Sequence, residues 1–225
     1  MKAQGTSNPL PEGLPAHEIS GEVWSQLVRA SLDRHHEWRT PVLASTGLDG
    51  VAQARTVVLR RVDRAAGNLL FYTDRRSPKV HELRMVPAAA LVFWSRRLSW
   101  QLRVQVRIEI WEDGPEVASA WATVVQSPAA ADYLSVTAPG EILSEISTIT
   151  GVPEPLPSST TDRLPQTLGL QRSELQGQGT TAGSATDHHL AIICATVQSI
   201  DWLELSRAGH RRALLSEGAV QWLVP

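Results

Sequence analysis

The sequence has little cysteine and no long apolar run, and each absence narrows the kinds of protein it can be. Cys194 is the only cysteine among 225 residues, so the chain can form neither an intrachain disulfide nor a cysteine-rich zinc site. No apolar run approaches the ~20 residues that a bilayer-spanning helix needs. The first residues also lack the apolar core of a signal peptide. We therefore predict a cytoplasmic protein that does not cross a membrane.

Several motifs of common catalytic and nucleotide-binding sites are missing too. The sequence contains no P-loop, no H-E-x-x-H zinc motif and no G-x-S-x-G nucleophile elbow. Residues 177–182 fit the pattern G-x-G-x-x-A, but no predicted strand precedes them, so we do not expect a dinucleotide site there. His35 and His36 are adjacent on a predicted helix and point in different directions, so we predict no metal site.

What the chain does contain is an uneven distribution of charge. Its formal net charge is -2, yet residues 55–107 hold twelve basic and three acidic residues. This segment carries +9, which leaves -11 for the rest of the chain. A local positive field within a mildly acidic protein favours a small anionic ligand over nucleic acid. Aromatic residues are also not interleaved with the exposed arginines, as single-stranded nucleic acid would require.

Residues 55–79 give the clearest indication of where the anion binds. Residues 55–60 and 69–73 are rich in β-branched and aromatic residues and flank a turn-forming segment, so they predict a hairpin. The second strand leads into a loop with Arg75, Arg76, Ser77 and Lys79. Guanidinium, hydroxyl and ammonium groups in one loop suit a phosphate, because charge-assisted hydrogen bonds are the strong ones.

The other patterns predict a sheet with helices around it. A helix should begin with Ser20 as its cap and end before Pro41. Short helices are expected at 79–85, at 116–126 and within 133–149. Strands are expected at 41–46, 51–62, 88–95, 98–110, 189–205, 210–216 and 219–224. Residues 98–110 alternate apolar and polar without a break, which is typical of a barrel strand.

We predict one domain, residues 1–225, with two irregular parts. Residues 1–17 hold three prolines and little periodicity, so they should form an extended arm. Residues 151–186 are rich in Pro, Ser, Thr, Gln and Gly and predict a loop-like or partly disordered insert.

These motifs resemble those of the pyridoxamine 5'-phosphate oxidase-like flavoproteins. The family pattern Arg-x-Val-hydrophobic-Leu-Lys/Arg is met at residues 55–60, Phe-Tyr-Thr at 71–73, and Ser-Arg-Lys at Ser77, Pro78 and Lys79. Pro78 departs from the pattern, and Arg75 or Arg76 would have to replace the lost phosphate contact. The resemblance implies a mainly β fold, an antiparallel six-stranded split β-barrel with peripheral helices, which holds FMN at the interface of a homodimer.

The resemblance also implies which residues contact FMN. Gln101, or less favourably Gln105, would touch the flavin from the long strand, while Trp202 and Arg212 would reach it from the C-terminal strands. The full implied set is Arg55, Thr56, Val57, Val58, Leu59, Arg60, Tyr72, Thr73, Arg76, Ser77, Lys79, Gln101, Trp202 and Arg212. The flavin carries the chemistry, so no catalytic side chain is expected. His210 is a candidate substrate contact.

Three functions are compatible with the resemblance. True pyridoxamine 5'-phosphate oxidases hold the substrate phosphate with Tyr, Arg and Ser on the helix after the long strand and with an Arg-x-His motif. Here the corresponding residues are Ala120, Val124, Pro128 and Ala208, so only His210 is retained. An FMN-dependent oxidoreductase of another small substrate is therefore favoured. A genuine pyridoxamine 5'-phosphate oxidase and a non-catalytic flavin- or haem-binding module are the alternatives.

Overall fold

The computed structural model describes residues 15–142 and 188–225, apart from Ala208 and Glu217. Four helices are α1 (Ala16–Leu32), α2 (Pro78–Met85), α3 (Pro115–Val124) and α4 (Ala130–Leu134), and a 3-10 turn covers Glu37–Arg39. The strands are β1 (Val42–Thr46), β2 (Ala52–Thr56), β3 (Leu59–Asp63), β4 (Asn68–Asp74), β5 (Ala88–Ser95), β6 (Trp100–Trp111), β7 (Leu190–Glu204), β8 (Arg211–Ser216) and β9 (Ala219–Leu223). The predicted insert 151–186 and most of the predicted arm lie outside the described residues.

The nine strands form one antiparallel sheet whose path does not close. The strand order is β2-β1-β5-β6-β7-β4-β3, with β8 beside β7 and β9 beside β8. Strand β7 pairs with β4 through residues 190–196 and with β8 through residues 200–204, so the sheet divides along it. The antiparallel split-barrel prediction is confirmed, with nine described strands rather than six.

The core lies between one face of this sheet and α1. Along β6, every second side chain is buried, because the strand alternates apolar and polar residues. Helix α1 contributes one apolar stripe of four fully buried residues: Ile19, Val23, Leu27 and Ala30. Among the described residues, no helix combines the length and apolarity needed to cross a membrane.

The predicted N-cap of the first helix is wrong by five residues. Helix α1 begins at Ala16, and its N-cap is Pro15, which makes no side-chain capping bond. Ser20 therefore lies inside the helix. Ile19, the first residue of the apolar stripe, is fully buried. Packing Ile19 against the core favours a helix that begins before Ser20, although Ser20 is a good capping residue.

The strand expected at 51–62 is two strands. β2 pairs with β1, whereas β3 pairs with β4 in the predicted hairpin, whose turn includes Gly67 at φ 69°. Val57 and Val58 separate the two strands and connect one edge of the sheet to the other. Residues 55–60 therefore span both edge strands, which a continuous strand could not do.

Candidate functional site

Three of the predicted phosphate-binding residues meet where β4 ends and α2 begins. Lys79 Nζ donates to Ser77 Oγ at 2.7 Å and to Thr73 Oγ1 at 3.1 Å. Ser77 is the N-cap of α2, and Pro78 occupies the first turn, where its missing N–H costs nothing. Pro78 therefore fits this helix start, although it cannot supply a cationic contact.

Arg55, on strand β2, is an electrostatic neighbour of Lys79. Its Nη2 lies 2.7 Å from Oε2 of Glu82, and its Nη1 donates to Ser45 Oγ. Ser45 in turn donates to the same Glu82 oxygen at 2.7 Å. Glu82 and Ser45 are buried, so they fix the direction of the guanidinium. We call Arg55, Thr73, Ser77 and Lys79 the phosphate cluster.

The phosphate cluster carries an excess of positive charge in a half-buried place. Burial, and then the neighbouring Arg55 guanidinium, lower the pKa of Lys79, while Asp74 and Glu82 act in the opposite direction. Glu82 is already paired with Arg55, and Asp74 with Arg76. An anion that accepted hydrogen bonds from Lys79 and Arg55 would relieve their repulsion, so a phosphate fits the residues that are present.

Arg76 does not join the phosphate cluster. Its Nε and Nη2 donate to the two carboxylate oxygens of Asp74 at 3.1 and 2.7 Å. The same guanidinium donates to the carbonyl oxygens of Ser135 and Val136 at 2.9 and 3.0 Å. Arg76 thus ties the loop to the segment after α4, and this placement argues against the predicted phosphate contact.

Arg60 and Tyr72 form a separate pair. The guanidinium carbon of Arg60 lies 5.5 Å from the centroid of the Tyr72 ring. Arg60 Nε is buried without a hydrogen-bond partner in the described part of the chain. Of the other predicted residues in 55–60, Val57 and Leu59 point into the core, Val58 is half-buried and Thr56 is exposed. Val57 and Leu59 could therefore offer a ligand only their backbone.

Gln101 and Arg212 lie on the other face of the sheet. Register places Trp94, Gln101, Leu203 and Arg212 side by side across β5, β6, β7 and β8. We call these four residues the outer row. Gln105 lies further along β6 on the same face and is exposed.

An acidic residue holds the arginine of the outer row. Arg212 donates through Nε to Asp201 Oδ1 at 3.0 Å and through Nη2 to Oδ2 at 2.8 Å. Arg103 donates to the same carboxylate. Hydrogen bonds from Arg212 and then Arg103 keep the pKa of Asp201 below its usual value despite partial burial.

Trp202 does not lie in the outer row. Its side chain is fully buried and packs edge-to-face on Trp100, with ring centroids 5.3 Å apart. Trp202 pairs with Leu102, whose side chain points into the core, whereas Leu203 pairs with Gln101. Leu203 therefore stands in the row between Gln101 and Arg212, and a cofactor contact by Trp202 stays a prediction.

One chain does not bring the phosphate cluster and the outer row together. Arg55 pairs with Leu43 on the core-facing side of β2, and β2 is three strands away from β6. At ~4.8 Å between strands, this separation is roughly 14 Å. His210 is exposed in the connection from β7 to β8.

The sequence reasoning missed Glu82, Ser45, Asp201 and Leu203. Glu82 left a recognisable signal, since it is one of three acidic residues in the basic segment 55–107. The others depend on pairing register, which the sequence alone does not specify. Within the described residues, no group of three or more His, Cys, Asp or Glu side chains is placed to hold a metal ion.

Residues 21–112 match the family model for the pyridoxamine 5'-phosphate oxidase FMN-binding domain. A pyridoxine/pyridoxamine 5'-phosphate oxidase of Thermosynechococcus vestitus is 45% identical over 67 residues, 30% of this chain and 31% of that protein. One from Myxococcus xanthus is 36% identical over 100 residues, 40% of this chain and 48% of that protein. The chain thus spans about a third to a half of these curated relatives.

Solved structures show the same fold at low sequence identity. A pyridoxamine 5'-phosphate oxidase-related, FMN-binding protein of Nostoc punctiforme has a TM-score of 0.58 at 17% identity, and covers 95% of this chain and 100% of its own. PhzG of Burkholderia lata, solved with tetrahydrophenazine-1-carboxylic acid, has a TM-score of 0.61 at 14% identity, and covers 97% and 100%. Residues 21–112 of this chain, which include the whole phosphate cluster, are therefore similar to the FMN-binding domain of pyridoxamine 5'-phosphate oxidases.

Proposed function

We propose that the protein is an FMN-dependent oxidoreductase of a small substrate, and that the phosphate cluster holds the FMN phosphate. One observation carries this proposal. Lys79 donates hydrogen bonds to both Ser77 and Thr73 beside Arg55, within the segment that matches the FMN-binding family model.

In this proposal the chain supplies binding and orientation. Arg55 and Lys79 provide the charge, and the hydroxyls of Thr73 and Ser77 provide neutral donors. Glu82 and Ser45 hold Arg55 in place, so its guanidinium needs little reorganisation when the anion binds. Bound FMN supplies the redox chemistry. Arg60 and Tyr72, on the strands that continue from this site, are proposed to border the rest of the cofactor.

We further propose that two chains form the complete site. The phosphate cluster and the outer row lie on opposite faces of the sheet, so one flavin would meet both only if a second chain presented its own outer row. The outer face also exposes apolar side chains, since Trp94 is 45% and Val42 38% exposed. Exposed apolar groups beside Gln101 and Arg212 are what a homodimer would cover. A cytoplasmic location remains a prediction.

The visible spectrum of the purified protein is the first test. We expect a yellow protein whose flavin absorbance is bleached by a nicotinamide nucleotide or another reductant. Reoxidation in the presence of candidate substrates would then identify the acceptor or donor. A colourless protein that also leaves the fluorescence of added FMN unquenched would overturn the proposal.

Synthesis of pyridoxal 5'-phosphate is the second candidate, because the matched relatives bear that activity in their names. The structure gives it little support on α3, where Val117, Ala120 and Val124 are buried. This face therefore presents no group that could pair with a second phosphate. We expect purified, FMN-loaded protein to produce no pyridoxal 5'-phosphate and no peroxide from pyridoxamine 5'-phosphate. Sustained turnover would favour the second candidate.

A further inference from the structure

A second cationic cleft lies where α1 ends and faces the turn between β5 and β6. It has a volume of about 580 Å³ and is lined by three arginines, Arg29, Arg96 and Arg97, together with two histidines and two carboxylates. None of its residues belongs to the phosphate cluster or the outer row. A volume in this range accommodates a small organic ligand.

The three guanidinium groups are unpaired. Across the described ranges, none of Arg29, Arg96 and Arg97 donates from its side chain to an acceptor, and none forms an ion pair. Some other arginines of the chain do pair with carboxylates, as Arg55 does with Glu82 and Arg212 with Asp201. The three arginines therefore give the cleft guanidinium donors that no acceptor of the described residues takes up.

The carboxylates in the cleft are already engaged. Glu37 accepts from the Ser95 hydroxyl and from the backbone N–H of Arg97 at 3.2 Å. These two hydrogen bonds keep the pKa of Glu37 low. Asp33 accepts from the backbone N–H of His35 at 2.8 Å. Within the described residues, neither carboxylate forms an ion pair with a guanidinium of the cleft.

The C-terminal end of α1 does not reverse the positive field. Its partial negative charge would repel an anion, but Arg39 donates from Nη1 to the carbonyl oxygens of Ala30 and Ser31. The positive charge of Arg39 therefore offsets the partial negative charge of these carbonyl groups.

His36 serves as a structural residue of the cleft. His36 Nε2 lies 3.0 Å from Gln26 Oε1, and its Nδ1 accepts from the Trp38 backbone N–H at 3.1 Å. Both ring nitrogens are therefore used by a neutral imidazole. Burial first, and then Arg97 and Arg29, lower the pKa of His36, whereas Asp33 and Glu37 raise it.

We propose that this cleft is a second anion site, which binds a phosphate-bearing small molecule through Arg29, Arg96 and Arg97. Arginine suits this ligand because its planar fork can donate two parallel hydrogen bonds to phosphate oxygens. The site would lie at the turn that leads into β6, the strand that carries Gln101.

Calorimetric titration of the full-length, FMN-saturated protein with inorganic pyrophosphate tests this site, because FMN then fills the phosphate cluster. We expect saturable binding with one pyrophosphate per chain. The double variant Arg96→Gln/Arg97→Gln should weaken it tenfold or more and leave FMN affinity unchanged. A matched double variant, Arg61→Gln/Arg64→Gln, removes two exposed charges outside the cleft and should retain pyrophosphate binding.

The Lys79→Ala variant separates this inference from the proposed function. Without added FMN, it should still bind pyrophosphate at the cleft, whether or not FMN is the cofactor. Absence of saturable binding to the FMN-saturated protein would overturn the second site. Equal loss in both double variants would also overturn it, because only a general effect of net charge would then remain.

Discussion

The phosphate cluster and the outer row differ in how much of each site one chain supplies. Thr73, Ser77 and the supporting Glu82 are 5%, 3% and 8% exposed, and their hydrogen bonds are formed within the chain. In the outer row, by contrast, Trp94 is 45% exposed, and Gln101 and Leu203 are partly open to solvent. A buried, hydrogen-bonded group is organised before its ligand arrives, whereas an exposed row on the surface of a sheet gains its full contacts only from a second surface.

Arg55→Ala should have the largest effect and would show that the phosphate cluster is preorganised. The variant leaves the Glu82 carboxylate buried without its guanidinium, and breaking such a pair costs about 3 kcal/mol of unfolding free energy. We also expect FMN affinity to fall about a hundredfold, since a charged donor is lost together with its support. Urea unfolding and fluorescence titration with FMN measure the two effects.

The double variant Arg55→Ala/Glu82→Gln is the control for that experiment. Glu82→Gln removes the carboxylate charge that Arg55→Ala leaves unpaired, so it should restore most of the stability but not the FMN affinity. Recovery of both would mean that Arg55 only neutralises Glu82 and does not bind the cofactor.

Lys79→Ala tests the cluster without unpairing a buried acid. Loss of one charged phosphate contact, ~1.5–3 kcal/mol, corresponds to a tenfold to hundredfold weaker FMN complex. Because burial and Arg55 lower the pKa of Lys79, wild-type affinity should decrease as pH rises through that lowered pKa, earlier than for an ordinary lysine. The variant should lack this alkaline decrease. The control is Arg84→Ala, on the exposed side of α2, which should leave FMN binding unchanged. If Lys79→Ala binds FMN as tightly as wild type does, the phosphate binds elsewhere.

Trp94→Ala tests whether the outer row contacts a second chain. If the outer row meets a second chain, truncating its most exposed aromatic residue should raise the dimer dissociation constant about tenfold, as aromatic anchors at interfaces do. Analytical ultracentrifugation across protein concentrations measures this constant. Leu48→Ala, an exposed apolar residue in the turn between β1 and β2, should not change it. A wild-type protein that is monomeric at all concentrations would end the dimer proposal.

Sequence reasoning predicted the phosphate cluster better than the outer row for a physical reason. Thr73, Ser77 and Lys79 lie within seven residues of one another, so a strand end and a helix start bring them together without long-range information. Arg55 was predicted through the motif at 55–60, although its partner Glu82 was not. The alternation at 98–110 likewise predicted a strand and its buried face from local pattern alone.

Register was the part that the sequence could not supply. Trp202 and Leu203 are neighbours in the chain, and a shift of one residue exchanges the core-facing side chain for the outer one. Spacing to Arg212 did not decide between them, whereas pairing of Leu203 with Gln101 does. In the same way, Arg76 had the right charge for a phosphate, but the structure directs it to Asp74.

Asp201→Asn should have the smallest effect and would show how the outer row is held in one chain. Hydrogen bonds from Arg212 and Arg103 lower the pKa of Asp201 in the folded protein, so this carboxylate stabilises the fold above the pKa of an unfolded Asp. That stabilisation is lost as pH falls through the folded-state pKa. At neutral pH the variant should be slightly less stable than wild type, by less than Arg55→Ala, because partly exposed ion pairs contribute little. Urea unfolding from pH 7 to pH 3 should show the two proteins converging in acid, and a constant difference would mean that Asp201 acts through packing rather than charge.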